Sequence, residues 1–121
     1  FVDAAFDAST CSSRSAFLFQ LADASWSLIC WLNILDWATH KEKRKVLSTP
    51  AAELLTIQMG LKRLPLMLRT LHFLFPSLEV VLFSDSATSL SQMETGVAKK
   101  EERLFGILAW CVQEVKRMDI K

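Results

Sequence analysis

The sequence predicts an α/β fold: a mixed β-sheet with helices packed against it, in the order β-β-β-α-α-β-α-α. Three observations predict it. The first third reads as apolar stretches separated by short polar turns. Two later stretches, about 50–64 and 99–118, carry apolar residues at three- and four-residue intervals. Between them lies Leu78–Ser84, mostly apolar and rich in Val, Leu and Phe, which is the composition of a strand buried on both faces. A meander followed by an α/β section argues for one mixed sheet covered by helices.

With 121 residues, one domain spanning 1–121 is expected, and 51% hydrophobic residues suffice for a real core. Fourteen basic and 13 acidic residues leave a net charge of +1, so only local charge can speak about nucleic acid. Three glycines and three prolines leave no linker or low-complexity region, and there is no internal repeat. No apolar run reaches membrane-spanning length and no basic n-region of a signal peptide is present, so no membrane partner is expected. Cys11, Cys30 and Cys111 are widely spaced and form no zinc pattern, which suits reduced, mostly buried thiols in an intracellular (cytoplasmic or nuclear) protein. The chain lacks an initiator Met and starts inside an apparent strand, as a segment of a longer polypeptide would.

In order, Phe1–Phe6 reads as a strand with Val2, Ala4 and Phe6 on one face and Phe1, Asp3 and Ala5 on the other. The turn Asp7–Arg14 leads to a second strand over Ser15–Leu21. After Asp23–Ser25 a third strand spans Trp26–Trp37, with an irregularity near Asn33. His40–Lys45, HKEKRK, is the one dense basic cluster: either a solvated strand end or a phosphate-contacting rim. Thr49 is expected to cap a helix with Pro50 in its first position, running to about Leu64 with Leu54, Ile57 and Leu61 on its apolar face. Glu53, placed in the first turn, shares a stripe with Ile57 and Gly60, and Gly60 allows a close neighbour. Pro65 is expected to break this helix and start another, about 66–75. After the strand ending at Asp85 come a short helix, about Ser86–Met93, and a long one, Lys99–Met118, with the stripe Leu104, Leu108, Cys111, Val115 and Met118.

Asp3, Glu53 and Asp85 are the carboxylates in unusual places: inside a strand, on the buried edge of a helix, and just past the end of the central strand, where open α/β sheets put their working groups. Each has a plain structural reading. Asp3 could sit at a frayed strand start, Glu53 could favour the helix dipole, and Asp85 could cap the next helix. If the first and fourth strands are neighbours, the three converge. Unpaired carboxylates that close repel unless a divalent cation joins them, and hard oxygen ligands select Mg²⁺ or Mn²⁺. Carboxylate-held ions of this kind promote in-line displacement at phosphorus.

With these residues in view, the chain resembles the ribonuclease H domain of LTR-retrotransposon polyproteins, particularly the copia-like group. FVDAAF is similar to that family's first-strand motif, and Arg14-Ser15 to the approach to its second strand. KEKRKVLSTPAAELL resembles its basic run followed by Ser-Ser or Ser-Thr and Ala-x-Glu. LFSDSATSL resembles its fourth-strand motif, and KKEERLFGILAWCVQEV its basic helix. The resemblance implies a ribonuclease H-like fold and a metal-dependent endonuclease that hydrolyses the RNA strand of RNA–DNA hybrids within a reverse-transcriptase polyprotein. It makes Asp3, Glu53 and Asp85 the catalytic, metal-binding carboxylates. The family adds a fifth strand, a closing helix and a fourth acidic residue beyond the long helix. The chain is therefore expected to be C-terminally incomplete, with the reverse-transcriptase domain or another chain covering the open sheet edge, and Asp119 is not assigned the fourth role. The alternative is an inactive ribonuclease H-like module that docks nucleic acid or a partner; a third reading is an enzyme of the same fold acting on DNA.

Arg14, Lys41, Lys43, Arg44, Lys99 and Lys100 are the candidate nucleic-acid contacts. Trp26, Trp31, Trp37 and Trp110 could stack on bases, but their apolar surroundings favour core packing. His40 and His72 lack metal-ligand spacing, and Ser48 and Thr49 read as capping residues rather than nucleophiles.

Overall fold

The computed structural model describes residues 1–22, 32–97 and 102–121. It is α/β: a three-stranded antiparallel sheet and three helices. The strands β1 (Val2–Asp7), β2 (Ser12–Ala22) and β3 (Leu32–Lys41) form the meander, in spatial order β1-β2-β3. Alternation sorts the faces as expected in β1: Val2 is buried, Ala4 and Phe6 are half-buried, and Asp3, Ala5 and Asp7 are exposed. The β1–β2 turn is closed by Asp7. Its Oδ1 accepts from the Ser9 N–H (2.9 Å) and hydroxyl (2.7 Å), and its Oδ2 from the Thr10 hydroxyl (2.8 Å). These hydrogen bonds hold the Asp7 carboxyl below the usual carboxylate range. The second strand starts three residues earlier than expected. The third shows its irregularity where Phe19 pairs with Asp36 and Gln20 with Ile34, leaving Leu35 as the extra residue. The expected start of that strand, Trp26–Trp31, lies outside the described residues, as do Cys30, Lys99 and Lys100.

Helix α1 (Thr49–Leu74) is capped by Ser48, not Thr49: the Ala51 N–H donates to Ser48 Oγ at 3.3 Å, and Pro50 follows within the first turn. Pro65 does not end it; the helix runs on for a total of 26 residues. Proline removes one N–H and crowds the preceding turn. Here the continuing apolar contacts of Leu61, Leu64 and Leu68 outweigh that local cost. The two helices expected over 50–75 are therefore one. After it, α2 (Ala87–Thr95) ends on Gly96 in the left-handed conformation. A 3₁₀ turn, Glu102–Leu104, precedes α3 (Phe105–Arg117), which is shorter than the expected Lys99–Met118. Leu104, Leu108 and Cys111 of the expected stripe are fully buried, and Val115 and Met118 pack beside them.

Helix α1 lies on the Val2/Ala4/Phe6 face of the sheet. Leu54, Ile57 and Leu61 join Val2, Phe17 and Val46 in the core. A Cβ on Gly60 would stand 3.3 Å from Val2 Cγ1, so this glycine is what lets helix and strand approach so closely. Two polar ties fix the register of that contact. Arg63 Nε lies 3.3 Å from Asp36 Oδ2. In the buried layer, Thr56 Oγ1 is 2.8 Å from Ser15 Oγ, which donates in turn to Glu42 Oε1 at 2.7 Å.

The segment Leu78–Ser84, expected to be a strand buried on both faces, is extended but only half-covered. It carries two parallel bridges, Val2↔Ser84 and Val80↔Ile120. Backbone hydrogen bonds accompany them: Val2 N–H to Phe83 O (3.0 Å), Leu82 N–H to Lys121 O (2.9 Å) and Lys121 N–H to Val80 O (2.9 Å). Leu78, Val80 and Leu82 face inward, while Val81 and Phe83 are 37% and 45% exposed. The segment is therefore covered on one side, and among the described residues no helix covers the outer one.

Candidate metal centre

The parallel bridge builds the site. Val2 bridges Ser84, so Asp3 and Asp85, the next residue of each segment, leave the bridge on neighbouring stretches of backbone. From the opposite side Glu53, four residues into α1, brings its carboxylate to the same place. One carboxylate oxygen of each residue lies within 4.8 Å of the other two. Asp3 and Asp85 are exposed, whereas Glu53 is only 3% exposed.

The structure removes the plain reading of each residue. Asp3 is not at a frayed start: the Phe1 ammonium donates to Leu18 O (3.0 Å), Leu18 N–H donates to Phe1 O (2.9 Å), and Asp3 itself pairs with Ala16. Glu53 lies past the first helical turn, which contains no acidic residue, so it was misplaced there by the sequence reading and gains little from the dipole. Asp85 does not cap α2; Ser86 does, accepting from Ser89 N–H at 3.3 Å.

Glu53 is the electrostatic centre of the group. Burial first, then the charges of Asp85 and Asp3, push its carboxyl up to about 7, against the opposing pull of a hydrogen bond from the Ala4 N–H. Its Oε2 is buried with no hydrogen-bond partner. An orphaned acceptor is costly in a native interior. The carboxylate to which it belongs stands beside two others, and an all-oxygen donor set of this kind suits a hard divalent cation. The donor function of Ala4 was not legible in the sequence, because any residue carries a backbone N–H.

The other expected contacts divide. Arg14 and Lys41 are exposed and directly opposite each other across β2 and β3. Lys43 and Arg44 are exposed in the loop before α1, and Lys45 Nζ donates to Thr10 O at 2.9 Å. Trp110 packs against the core with Lys62 over its ring, as expected. Trp37 does not: it is 66% exposed on an edge strand, with nothing among the described residues packed over it. His72 sits exposed in the last turn of α1, and Cys111 is a buried free thiol whose burial pushes its pKa up to about 12. Cys11 is free and half-buried. Among the described residues no helix is long and apolar enough to cross a membrane. Comparison with known protein families, curated proteins and solved structures finds no match for this chain.

Proposed function

We propose that this chain is a ribonuclease H-type domain that hydrolyses the RNA strand of RNA–DNA hybrids with Mg²⁺ or Mn²⁺, as part of a retroelement reverse-transcriptase polyprotein. The observation that carries the reading is the meeting of Asp3, Glu53 and Asp85, from three distant segments, within 4.8 Å, with one buried oxygen left unpartnered. Asp3, Glu53 and Asp85 would hold the cation. When bound, it supplies positive charge that offsets the developing charge on a phosphoryl group and makes a water more acidic. The chain's own part is positioning. The Val2–Ser84 bridge sets Asp3 beside Asp85, and the Ala4 N–H orients the Glu53 carboxylate toward them. The exposure of Asp3 and Asp85 leaves the open side of the group accessible to a polymer.

The test is cleavage of an end-labelled RNA–DNA hybrid with Mg²⁺ or Mn²⁺. RNA-strand cleavage that is lost in Asp3→Asn, Glu53→Gln and Asp85→Asn supports the proposal. Cleavage of DNA instead would move the assignment to another nuclease of the same fold. A second reading, an inactive docking module, is favoured by the half-exposed apolar residues Phe1, Val81 and Phe83, which no helix covers among the described residues. A folded chain that binds hybrid, and keeps binding it in the three variants without turnover, would establish that reading.

A further inference from the structure

Resting on the nucleic-acid reading above, we propose that the face of the meander turned away from α1 is a binding track for the hybrid, with Arg14 and Lys41 gripping backbone phosphates beside the carboxylates and Trp37 packing against a backbone sugar.

Register places these residues together. Asp3 pairs with Ala16 and Ala5 with Arg14, so all four side chains share one face of the sheet. Across the next pair Arg14 faces Lys41, Ala16 faces Thr39 and Leu18 faces Trp37, before the irregularity at Phe19/Gln20. Lys41, Thr39 and Trp37 thus form a line along β3, each about 6.8 Å from the next. Helix α1 occupies the other face, where it meets Val2, Ser15 and Asp36.

From strand spacing, the Arg14 backbone is about 8 Å and the Lys41 backbone about 12 Å from that of Asp3. At about 3.4 Å of rise per nucleotide, these groups reach phosphates two to four nucleotides from a bond held at the carboxylates. Ala5 and Ala16, between the basic pair and Asp3, leave that approach low.

The pair is also unfavourable for the fold. Like charges directly opposite each other on neighbouring strands repel. Among the described residues neither Arg14 nor Lys41 has a carboxylate partner. Asp7, the other acid on this face, is engaged by Ser9 and Thr10. A cationic pair with no carboxylate partner, continued by an exposed hydroxyl and an exposed indole, matches a duplex backbone that presents phosphates and sugars.

The experiment is fluorescence anisotropy of a labelled RNA–DNA hybrid in chelator, where no cleavage competes, over a salt series. Chains to compare are the wild type, R14A/K41A, W37A and the charge-matched R69A/K116A on helix surfaces. R14A/K41A is expected to weaken binding about tenfold at low salt and to flatten the log–log salt slope by about 1.5–2, as loss of two phosphate contacts requires. W37A weakens binding with the slope retained. The melting temperature of R14A/K41A stays level or rises, because a repulsion is removed. Unchanged affinity and slope in R14A/K41A, an equal loss in R69A/K116A, or no hybrid binding by the folded wild type would overturn the proposal. The nuclease reading fails separately, if hybrid is bound through Arg14 and Lys41 but not cut.

Discussion

Replacing Glu53 by glutamine removes the cost of burying a charge beside Asp85 and Asp3. The change keeps size and an acceptor for the Ala4 N–H, and it removes the charge facing Asp3 and Asp85. In the wild type the Glu53 carboxyl is raised from 4.5 to about 7. The folded state therefore holds a proton that the unfolded chain has released over this interval. Stability from this group is fully present below about pH 4.5 and is lost as pH rises through about 7. At about 1.4 kcal/mol per unit the ceiling is ~3.4 kcal/mol. Partial relaxation around the buried carboxyl and solvent screening of the exposed Asp85 and Asp3 charges reduce this to about 1–2 kcal/mol. The assay is urea unfolding in chelator at intervals from pH 4.5 to 8.5. The expected outcome is an E53Q chain that gains about 1–2 kcal/mol on the wild type between acid and neutral pH, then holds that lead. Adding Mg²⁺ at pH 8 should stabilise the wild type more than E53Q, and more than it does at pH 5, where the proton competes. Parallel stability curves for the two chains would refute the argument, since they would mean that Glu53 titrates alike folded and unfolded.

Two further outcomes test how the site is held. Gly60→Val would drive side-chain carbons into Val2, whose Cγ1 would already lie 3.3 Å from a new Cβ; a loss of about 1–3 kcal/mol is expected, and no loss in chemical denaturation would show that α1 can stand off the sheet. Thr56→Val removes the buried tie to Ser15 at 2.8 Å and should cost about 1–2 kcal/mol, with Thr56→Ser restoring most of it; a T56V chain as stable as the wild type would show that this bond does not hold helix to sheet.

Much of the local architecture was legible because it depends on short-range pattern. The alternation in FVDAAF, the stripe Leu54-Ile57-Leu61, the stripe Leu104-Leu108-Cys111 and the close-approach role of Gly60 all follow from strand or helix periodicity. So did the choice of Asp3, Glu53 and Asp85, each a charge set against an apolar background. Where local rules compete with packing, sequence alone misled. Pro65 looks like a helix end, but contacts on either side carry α1 through it. Trp37 looks like core, but it lies on an edge strand facing away from the helix. Leu78–Ser84 looks like a strand buried on both faces, but burial depends on what packs against a face, and periodicity says nothing of that. The sequence by itself determined which residues alternate, which form helical faces and which carboxylates are out of place. Only the tertiary structure decided that the Val2–Ser84 bridge brings Asp3 near Asp85, that the buried Glu53 carboxylate reaches them, and that Arg14 stands opposite Lys41 on the face turned away from α1. The physical reason is that proximity between distant segments is set by strand register and helix docking, quantities that no single segment encodes.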